Sequence, residues 1–290
     1  MLQILLSTYN GEKWLGELLT SIFNQTYTNW HLLIRDDGST DRTKEIIQDW
    51  KKSYPDKITL FAEDNRGVIQ SFNTLLAYSS APYLALCDQD DVWKENKLEK
   101  LMEKAHLNGP LLIHHDLEVV DQNLKTTHRS FWRYQRINPK AKQLNRLLVQ
   151  YGVTGCATMI NKPLRNLAIP IPEGATMHDH WISLVAAAFG EIIAIDEPLI
   201  LYRQHGQNQV GAAPYFSLKR LKRYQQSMEQ IFWQAHLFLE RYQLPQEQQN
   251  ILNQFLQLPK LSWLKRLQTI IHNSFYKSGI LRNLIFIFYR

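Results

Sequence analysis

The sequence predicts an α/β protein in which helices flank a mainly parallel, Rossmann-like central sheet, with a helical appendage at the C-terminal end. Two patterns predict this class. Short runs rich in β-branched and aromatic residues alternate with helical apolar spacing over most of the chain. Beyond Pro214 the strand patterns stop, and large apolar residues recur only at helical spacing. The composition, 44% hydrophobic and 21% charged over 290 residues, excludes a disordered chain.

Each element follows from its own pattern, in chain order. Apolar runs predict strands over residues 3–7, 31–35, 58–62, 83–87, 111–115, 156–160 and 192–195. Helical spacing predicts helices over 14–23, 67–79, 96–106 and 178–189, and N-cap chemistry at 39–41 begins a further helix that carries Ile46, Ile47 and Trp50. Residues 119–150 interleave polar, basic and aromatic side chains, which predicts an irregular connection and one helix.

Charge is distributed unevenly along the chain. The net formal charge is +6, but residues 216–290 carry 11 basic and 3 acidic groups, whereas residues 1–215 carry 22 basic and 24 acidic groups. A basic tail suggests an anionic partner, either a membrane surface or nucleic acid.

The cysteines and the apolar runs predict a compartment. Cys87 and Cys156 lie in apolar runs without metal-like spacing, which favours a reducing, cytoplasmic location. The longest apolar run, 280–289, falls short of the roughly 20 residues that span a bilayer. Residues 1–7 predict a strand and not a signal peptide.

Polar side chains follow each of the first four predicted strands. These segments are 8–11, 36–41, 63–67 and 88–91. Ligands of open α/β sheets bind beyond the carboxyl ends of the strands, so the segments predict one site for a polar ligand and a metal. Asp88 and Asp90 lie two apart at a strand end, point the same way and can share one Mg²⁺ or Mn²⁺ ion. A lone Asp-x-Asp is a weak signal, so the prediction depends on the repeated placement.

These segments, in this order, resemble the family 2 glycosyltransferases of GT-A fold. The motifs are Ser7-Thr8-Tyr9-Asn10-Gly11, Arg35-Asp36-Asp37-Gly38-Ser39-Thr40-Asp41, Asn65-Arg66-Gly67 with Asn73, and Asp88-Gln89-Asp90-Asp91. The resemblance implies a catalytic domain over residues 1–215, followed by a basic helical region over 216–290. It also implies a nucleotide site formed by Thr8, Tyr9, Asn10, Asp37, Arg66 and Asp88.

The resemblance implies a role for several of these residues. Tyr9 would stack on the nucleotide base, Asp37 would accept a hydrogen bond from the ring N–H of that base, and Asp88 would contact the ribose. Asp90 would bind Mn²⁺ or Mg²⁺, which bridges the diphosphate of the sugar nucleotide and neutralises charge on the departing group.

A second acidic motif, Met177-His178-Asp179-His180-Trp181, opens a predicted amphipathic helix. The resemblance places Asp179 where the family carries its catalytic carboxylate. This implies a general base that takes the proton of the acceptor hydroxyl in one inverting displacement. The alternative is that Asp179 only caps its helix. His178 departs from the common Glu-Asp pair, which leaves an assisting role for that neighbour open.

Arg203 and His205 resemble the Arg-x-His segment of the family. The resemblance implies that both contact the diphosphate and that His205 contacts the metal, while a solvated pair on a surface loop is the alternative. His114, His115 and Asp116 look like another metal cluster. Adjacent histidines in an extended segment face opposite ways, so we expect a structural or acceptor-facing role for them.

A narrower resemblance predicts the donor and the acceptor. Segments 32–39, 87–93, 177–179 and 201–206 are similar to rhamnosyltransferases that build bacterial rhamnose-rich cell-surface polysaccharides. This implies dTDP-β-L-rhamnose as the donor and a lipid-linked saccharide as the acceptor, at the inner face of the cytoplasmic membrane. A UDP-hexose donor is the alternative.

The C-terminal helices are predicted to meet that membrane surface. Their apolar stripe, with Lys265 and Arg266 beside it, consists of Trp263, Leu264, Leu267, Ile270, Ile271 and Phe275. Packing on the catalytic domain or on a second subunit is the alternative, and the oligomeric state stays open. A non-enzymatic membrane-binding or nucleic-acid-binding module is the rival class. It leaves the acidic strand ends without a purpose, so no nucleic-acid partner is expected.

Overall fold

A computed structural model describes residues 1–150, 152–206 and 224–288 of the chain. Some residues of the predicted Arg-x-His segment and of the basic tail lie outside this part: Gln207, Asn208, Lys219, Arg220, Lys222, Arg223 and Arg290.

The described residues form alternating strands and helices, followed by helices alone. The strands are β1 (Leu2–Thr8), β2 (Trp30–Asp37), β3 (Ile58–Glu63), β4 (Tyr83–Cys87), β5 (Val92–Trp93), β6 (Leu111–Val120), β7 (Thr126–His128), β8 (Thr158–Asn161) and β9 (Glu191–Arg203). The helices are α1 (Leu15–Phe23), α2 (Thr43–Ser53), α3 (Val68–Tyr78), α4 (Lys97–Met102), α5 (Phe131–Gln135), α6 (Leu144–Val149), α7 (Lys162–Ala168), α8 (His178–Phe189), α9 (Tyr224–Arg241), α10 (Gln246–Gln257), α11 (Trp263–His272) and α12 (Ile280–Phe288). Short 3₁₀ helices lie at Gly155–Ala157 and Leu258–Lys260.

One nine-stranded sheet runs through the described residues in the order β3-β2-β1-β4-β8-β6-β9-β5, with β7 paired to β6. The first four strands are mutually parallel, so their carboxyl ends meet at one end of the sheet, as the sequence predicts. β8 runs antiparallel to β4 and β6, whereas β9 runs parallel to β6. The second half of the sheet is therefore mixed, because strand direction depends on connections that an apolar run does not encode.

Most predicted elements match the structure, but two strands are longer than predicted, and α4 ends at Met102, four residues before the end of the helix predicted over 96–106. β6 and β9 extend well beyond the predicted strands at 111–115 and 192–195. Their pairing shifts register twice between His115 and Glu118, which breaks the alternation by which strands are recognised. Residues 119–150 hold the end of β6, β7, α5 and α6, so the prediction of one irregular connection with a single helix was wrong there.

Two buried clusters form the core, one on each face of the sheet. Leu5 belongs to one cluster and its neighbours Ile4 and Leu6 to the other, because successive side chains of a strand point to opposite faces. The C-terminal helices enter the first cluster beside Trp181 of α8, through Met228, Phe238, Phe255, Phe275 and Phe286. Ile270 and Phe275, which belong to the apolar stripe predicted to meet a membrane, are buried in this cluster, so that part of the stripe packs on the rest of the chain and the prediction was wrong for it. Among the described helices, none has both the length and the apolar character needed to cross a membrane.

Candidate active site

The ends of β2 and β3 meet around a buried ion pair between Arg35 and Asp37. Asp37 accepts hydrogen bonds from Arg35 Nη1 and from the backbone N–H groups of Arg66 and Gly67, the last two at 2.8 Å. Gly67 has φ 79°, which glycine adopts without strain. Burial by itself raises the pKa of Asp37, but these hydrogen bonds and the Arg35 charge outweigh burial and lower it. Asp37 is therefore ionised and holds the 64–67 loop at the predicted nucleotide site.

Tyr9 follows β1 and leaves 48% of its surface exposed. Its backbone N–H donates to Gln89 Oε1 at 2.8 Å, and its carbonyl accepts from Gln89 Nε2 at 2.9 Å. A Cβ atom on Gly11 would lie 2.5 Å from the same Gln89 oxygen, so only glycine leaves room for this contact. Gln89 therefore joins the ends of β1 and β4, a role that the motif alone did not indicate. An exposed aromatic ring held in this way suits stacking on a base.

Thr8 and Asn10 use their side chains to hold the surrounding loops. Thr8 is buried, and its hydroxyl donates to Asp36 Oδ1 at 3.2 Å. Asn10 Oδ1 accepts from the backbone N–H of Thr40 at 2.9 Å. The side chain of Arg66 is exposed at the nucleotide end of the site. The nucleotide contacts of these three residues stay predictions.

The end of β4 brings Asp88 close to Asp179 at the start of α8. Burial raises the pKa of Asp88 to about 7, and the negative charges of Asp90 and Asp179 add to this effect. The Cys156 thiol and the Lys97 ammonium group act in the opposite direction. The fold thus unites two carboxylate motifs that lie far apart in the sequence.

Asp90 and His205 face each other, with Oδ2 and Nε2 2.9 Å apart. Carboxylate and imidazole groups are ligands that Mn²⁺ accepts, and the crowding of Asp88, Asp90 and Asp91 favours a bound cation. Asp88, Asp91 and the Cys156 thiol also place ligand atoms within 4.8 Å of one another. The thiol donates to these carboxylates, and burial raises its pKa well above the usual value. Cys156 therefore suits a hard cation less well than Asp90 and His205 do.

A fully buried lysine, Lys97, lies behind the aspartates. Its Nζ donates to the carbonyl of Cys156 at 2.9 Å and lies 3.3 Å from the centre of the Trp93 ring. Burial lowers the pKa of Lys97 to about 8, while the neighbouring thiols and carboxylates oppose this change. The sequence predicts a helix at Lys97 and no role for it, because no pattern distinguishes it from an exposed helical lysine.

Arg203 is buried at the end of β9 among internal partners. Its Nε donates to the carbonyl of Asp90 at 2.9 Å, Nη1 donates to the carbonyl of Gln122 at 2.7 Å, and Nη2 pairs with Glu17. The guanidinium also lies 4.3 Å from the ring centre of Trp14. These contacts hold the turn that carries Asp90, and the predicted contact of Arg203 with a diphosphate stays a prediction.

Asp179 is the second residue of α8. Its Oδ1 accepts from the backbone N–H of His180 at 2.7 Å, and its Oδ2 accepts from that of Gly155 at 2.9 Å. Burial raises the pKa of Asp179 to about 6, and these backbone hydrogen bonds limit the rise. A carboxylate of this pKa is largely ionised at neutral pH and still basic enough to accept a proton, which suits a general base. The bond to Gly155 lies outside the helix, so it goes beyond the helix-cap alternative.

The other histidines singled out in the sequence are packed inside the protein. The ring of His178 stacks on Phe72 at 3.9 Å between centroids, and burial lowers the pKa of His178 to about 3. A Cβ atom on Gly155 would lie 2.9 Å from His178 Nε2. His114 and His115 are buried in β6, and within the described residues no metal-ligating cluster includes them.

Known proteins resemble this chain over most of its length. The family model described as Glycosyl transferase family 2 matches residues 3–167. The UDP-Glc:alpha-D-GlcNAc-diphosphoundecaprenol beta-1,3-glucosyltransferase WfgD of Escherichia coli is 29% identical over 76% of this chain and 83% of its own length. The dTDP-rhamnosyl transferase RfbG of Shigella flexneri is 27% identical over 74% of this chain and 76% of its own length. The solved mannosyltransferase PcManGT from Pyrobaculum calidifontis, in complex with GDP-Man and Mn²⁺, superposes with a TM-score of 0.60 over 98% of this chain and 78% of that chain, at 15% identity. This likeness confirms the predicted GT-A fold class.

Proposed function

Because the chain belongs to glycosyl transferase family 2, we propose that it moves a sugar from a nucleotide-sugar donor to an acceptor hydroxyl, with Asp179 as the general base. The observation that carries this proposal is the meeting of Asp88 and Asp179 at one end of the sheet, where the pKa of each carboxyl is raised. A base beside the donor site takes the hydroxyl proton while the oxygen attacks the anomeric carbon. The diphosphate departs from the opposite side, so the configuration inverts.

The donor is held by residues from the first four strand ends. Tyr9 stacks on the base, the ionised Asp37 accepts from its ring N–H, and Asp88 reaches the ribose. Asp90 and His205 would hold Mn²⁺ or Mg²⁺, which when bound supplies positive charge to the departing diphosphate. Thr8, Asn10 and Arg66 complete the nucleotide site.

Metal-dependent nucleotide binding tests this function. With Mn²⁺ present, dTDP or UDP should raise the melting temperature of the protein, and Asp90→Ala should abolish that increase. Asp121→Ala serves as the matched control, because Asp121 accepts hydrogen bonds from the backbone N–H groups of Asn123 and Lys125 within the β6–β7 turn. Binding that survives Asp90→Ala, or no binding of any nucleotide, would contradict the proposal and favour a non-enzymatic binding module.

We propose dTDP-β-L-rhamnose as the donor to test first, because the rhamnosyltransferase-like motifs and the similarity to RfbG both point to it. The similarity to WfgD supports a UDP-hexose as the second candidate. A turnover assay that offers dTDP-rhamnose and UDP-glucose in turn separates the two. A preference for UDP-glucose would remove the rhamnose assignment and leave the transferase assignment intact.

We also propose that the acceptor is a lipid-linked saccharide and that the C-terminal helices touch an anionic membrane. The relative WfgD is named for glucosyl transfer to a GlcNAc-diphosphoundecaprenol, which is a lipid-linked sugar. On α12, Ile280, Leu284 and Phe288 recur every fourth residue and are 81%, 46% and 63% exposed. No acidic residue follows Glu247 in the sequence. Exposed apolar side chains in a stretch of sequence whose acidic and basic residues are all basic suit an anionic lipid surface.

Vesicle sedimentation tests this surface. The change of Ile280, Leu284 and Phe288 together to Gln should release the protein from vesicles that contain anionic lipid, with an unchanged melting temperature. Leu107→Gln is the control, because Leu107 is 53% exposed outside the C-terminal helices. Equal sedimentation of all three proteins would favour contact with another protein through this face.

A further inference from the structure

The helix that carries Asp179 is held at its N-terminal end by a residue of the C-terminal segment. Gln234 of α9 is 1% exposed. Its Oε1 accepts from the backbone N–H of Thr176 at 2.8 Å and from the hydroxyl of Thr176 at 2.7 Å. Its Nε2 lies 3.0 Å from His180 Nδ1. Thr176 and His180 lie on either side of Asp179, so one side chain holds the chain before and after the proposed base.

The hydrogen bonds of His180 determine which way the side-chain amide of Gln234 is oriented. Burial lowers the pKa of His180 to about 4, so its ring is neutral at pH 7. His180 Nε2 lies 2.7 Å from the carbonyl of Leu147, and a carbonyl only accepts, so Nε2 carries the proton. His180 Nδ1 must then accept, which requires the amide nitrogen of Gln234 to face it. The amide oxygen of Gln234 is thereby directed at the two donors of Thr176.

Other contacts of α9 support the same stretch of chain. Arg241 donates to the carbonyl of Ile169 at 2.6 Å, just before the loop that leads to Thr176. Phe238 packs edge-on against Trp181, with ring centroids 5.4 Å apart. The whole segment from Ile169 to Trp181 is thus backed by one helix of the C-terminal region.

We propose that Gln234 is a positioning residue for Asp179, so that the C-terminal segment forms part of the acceptor side of the active site. This inference rests on the proposed function. Asp179 Oδ1 accepts from the backbone N–H of His180, the residue whose ring Gln234 holds, so the direction of the carboxylate depends on this turn. Loss of the Gln234 side chain leaves the partly buried N–H of Thr176 without this acceptor and removes the Gln234 contact at His180 Nδ1, while Nε2 of the ring keeps its bond to the Leu147 carbonyl. Misplacement of a reacting group by about 1 Å costs on the order of 100-fold in rate.

Gln234→Leu tests the proposal in the full chain. We expect kcat to fall about 10- to 100-fold, while the KM for the sugar nucleotide and metal-dependent nucleotide binding stay unchanged. Gln248→Leu is the matched control, because Gln248 of α10 donates to the carbonyl of Ala188 at 3.0 Å, at the other end of the same helix α8. Its kcat should stay within about twofold of wild type, although a contact between the C-terminal segment and α8 is lost.

Two results would overturn the inference: wild-type kcat in Gln234→Leu, or an equal loss of kcat in both variants, which marks a merely structural role. Gln234→Glu covers the case in which the leucine variant does not fold. It keeps the acceptor for Thr176 and loses the donor to His180, so we expect an intermediate kcat, and wild-type kcat would contradict the role. Asp179→Asn in the same assay separates a failure of the proposed base from a failure of the proposed role of Gln234. An active Asp179→Asn enzyme removes the proposed base, whereas an inactive one beside a fully active Gln234→Leu removes only this inference.

Discussion

Two groups of carboxylates at the same end of the sheet differ in what surrounds them. Asp37 is matched by Arg35 and by two backbone N–H groups, and its pKa is lowered. Asp88 and Asp179 are partly buried, and desolvation raises their pKa values to about 7 and about 6, with the negative charges of Asp90 and Asp179 adding to the rise at Asp88. The negative charge of Asp37 is neutralised by groups of the protein itself, whereas the second group carries more negative charge than its surroundings neutralise. Asp37 is thus suited to hold a loop at the nucleotide site, whereas Asp179 is suited to accept a proton and Asp88 to lie beside the cation that Asp90 and His205 would hold.

The largest effect should come from Asp179→Asn, which tests whether the second group does the chemistry. We expect kcat to fall at least about 100-fold, because an amide cannot take the hydroxyl proton, with nucleotide binding retained. In the wild type, kcat should decline as the pH falls below about 6, because Asp179 then becomes protonated. Steady-state turnover over pH 5 to 8 measures both. Full activity in Asp179→Asn would remove the distinction between the two groups.

The next largest effect should be on stability, because the contributions of Asp37 and Asp88 to the free energy of unfolding should change with pH in opposite directions. The lowered pKa of Asp37 stabilises the fold above pH 3.8, and this stability is lost as the pH falls through the folded-state pKa. Asp37→Asn should therefore lower the free energy of unfolding at pH 7 by about 3 kcal/mol, because the buried Arg35 then keeps only the more distant carboxylate of Glu63, at 3.4 Å. The raised pKa of Asp88 destabilises the fold as the pH rises from about 4 to about 7. In EDTA, Asp88→Asn should melt above the wild type at pH 8 and level with it at pH 4. Thermal unfolding at pH 4 and pH 8 measures both effects. A change in melting temperature of the same sign in both variants would contradict the contrast between Asp37 and Asp88.

The smallest effect should come from Gln89→Ala, which tests the link between Tyr9 at the nucleotide site and the turn that carries Asp88. Both polar atoms of the Gln89 amide pair with the backbone of Tyr9, so their loss should cost about 1 kcal/mol and weaken nucleotide binding several-fold. We expect no change in kcat at saturating donor. Calorimetric titration with dTDP and Mn²⁺ measures this, with the exposed Gln48→Ala as the control. A fall in kcat without a change in affinity would place Gln89 at the reaction itself.

Much of the donor half could be predicted from local patterns. β1, β2 and β4 are largely buried strands and β3 is a half-exposed edge strand, and each is followed by polar residues, so the position of Asp37 and Asp88 at one end of the sheet follows from the parallel order of the strands. The ends of the long paired strands β6 and β9 could not be predicted in this way, because shifts in their register interrupt the alternation of inward- and outward-facing side chains.

Residues whose role depends on a distant partner left no pattern in the sequence. Lys97 lies in a short helix and is defined by its burial beneath Asp88 and Asp91. Gln234 lies in a helix rich in glutamine, and only its contact with Thr176 and His180 distinguishes it from the exposed ones.

The sequence by itself determined the fold class, the order of the motifs and the family, because apolar periodicity and turn residues act over a few neighbouring positions. Only the tertiary structure decided which carboxylates are neutralised and which are not. It also decided that the C-terminal helices pack behind Asp179. Burial and charge pairing arise between residues far apart in the chain, so the pKa values of Asp37, Asp88 and Asp179 are properties of the folded neighbourhood and not of any segment.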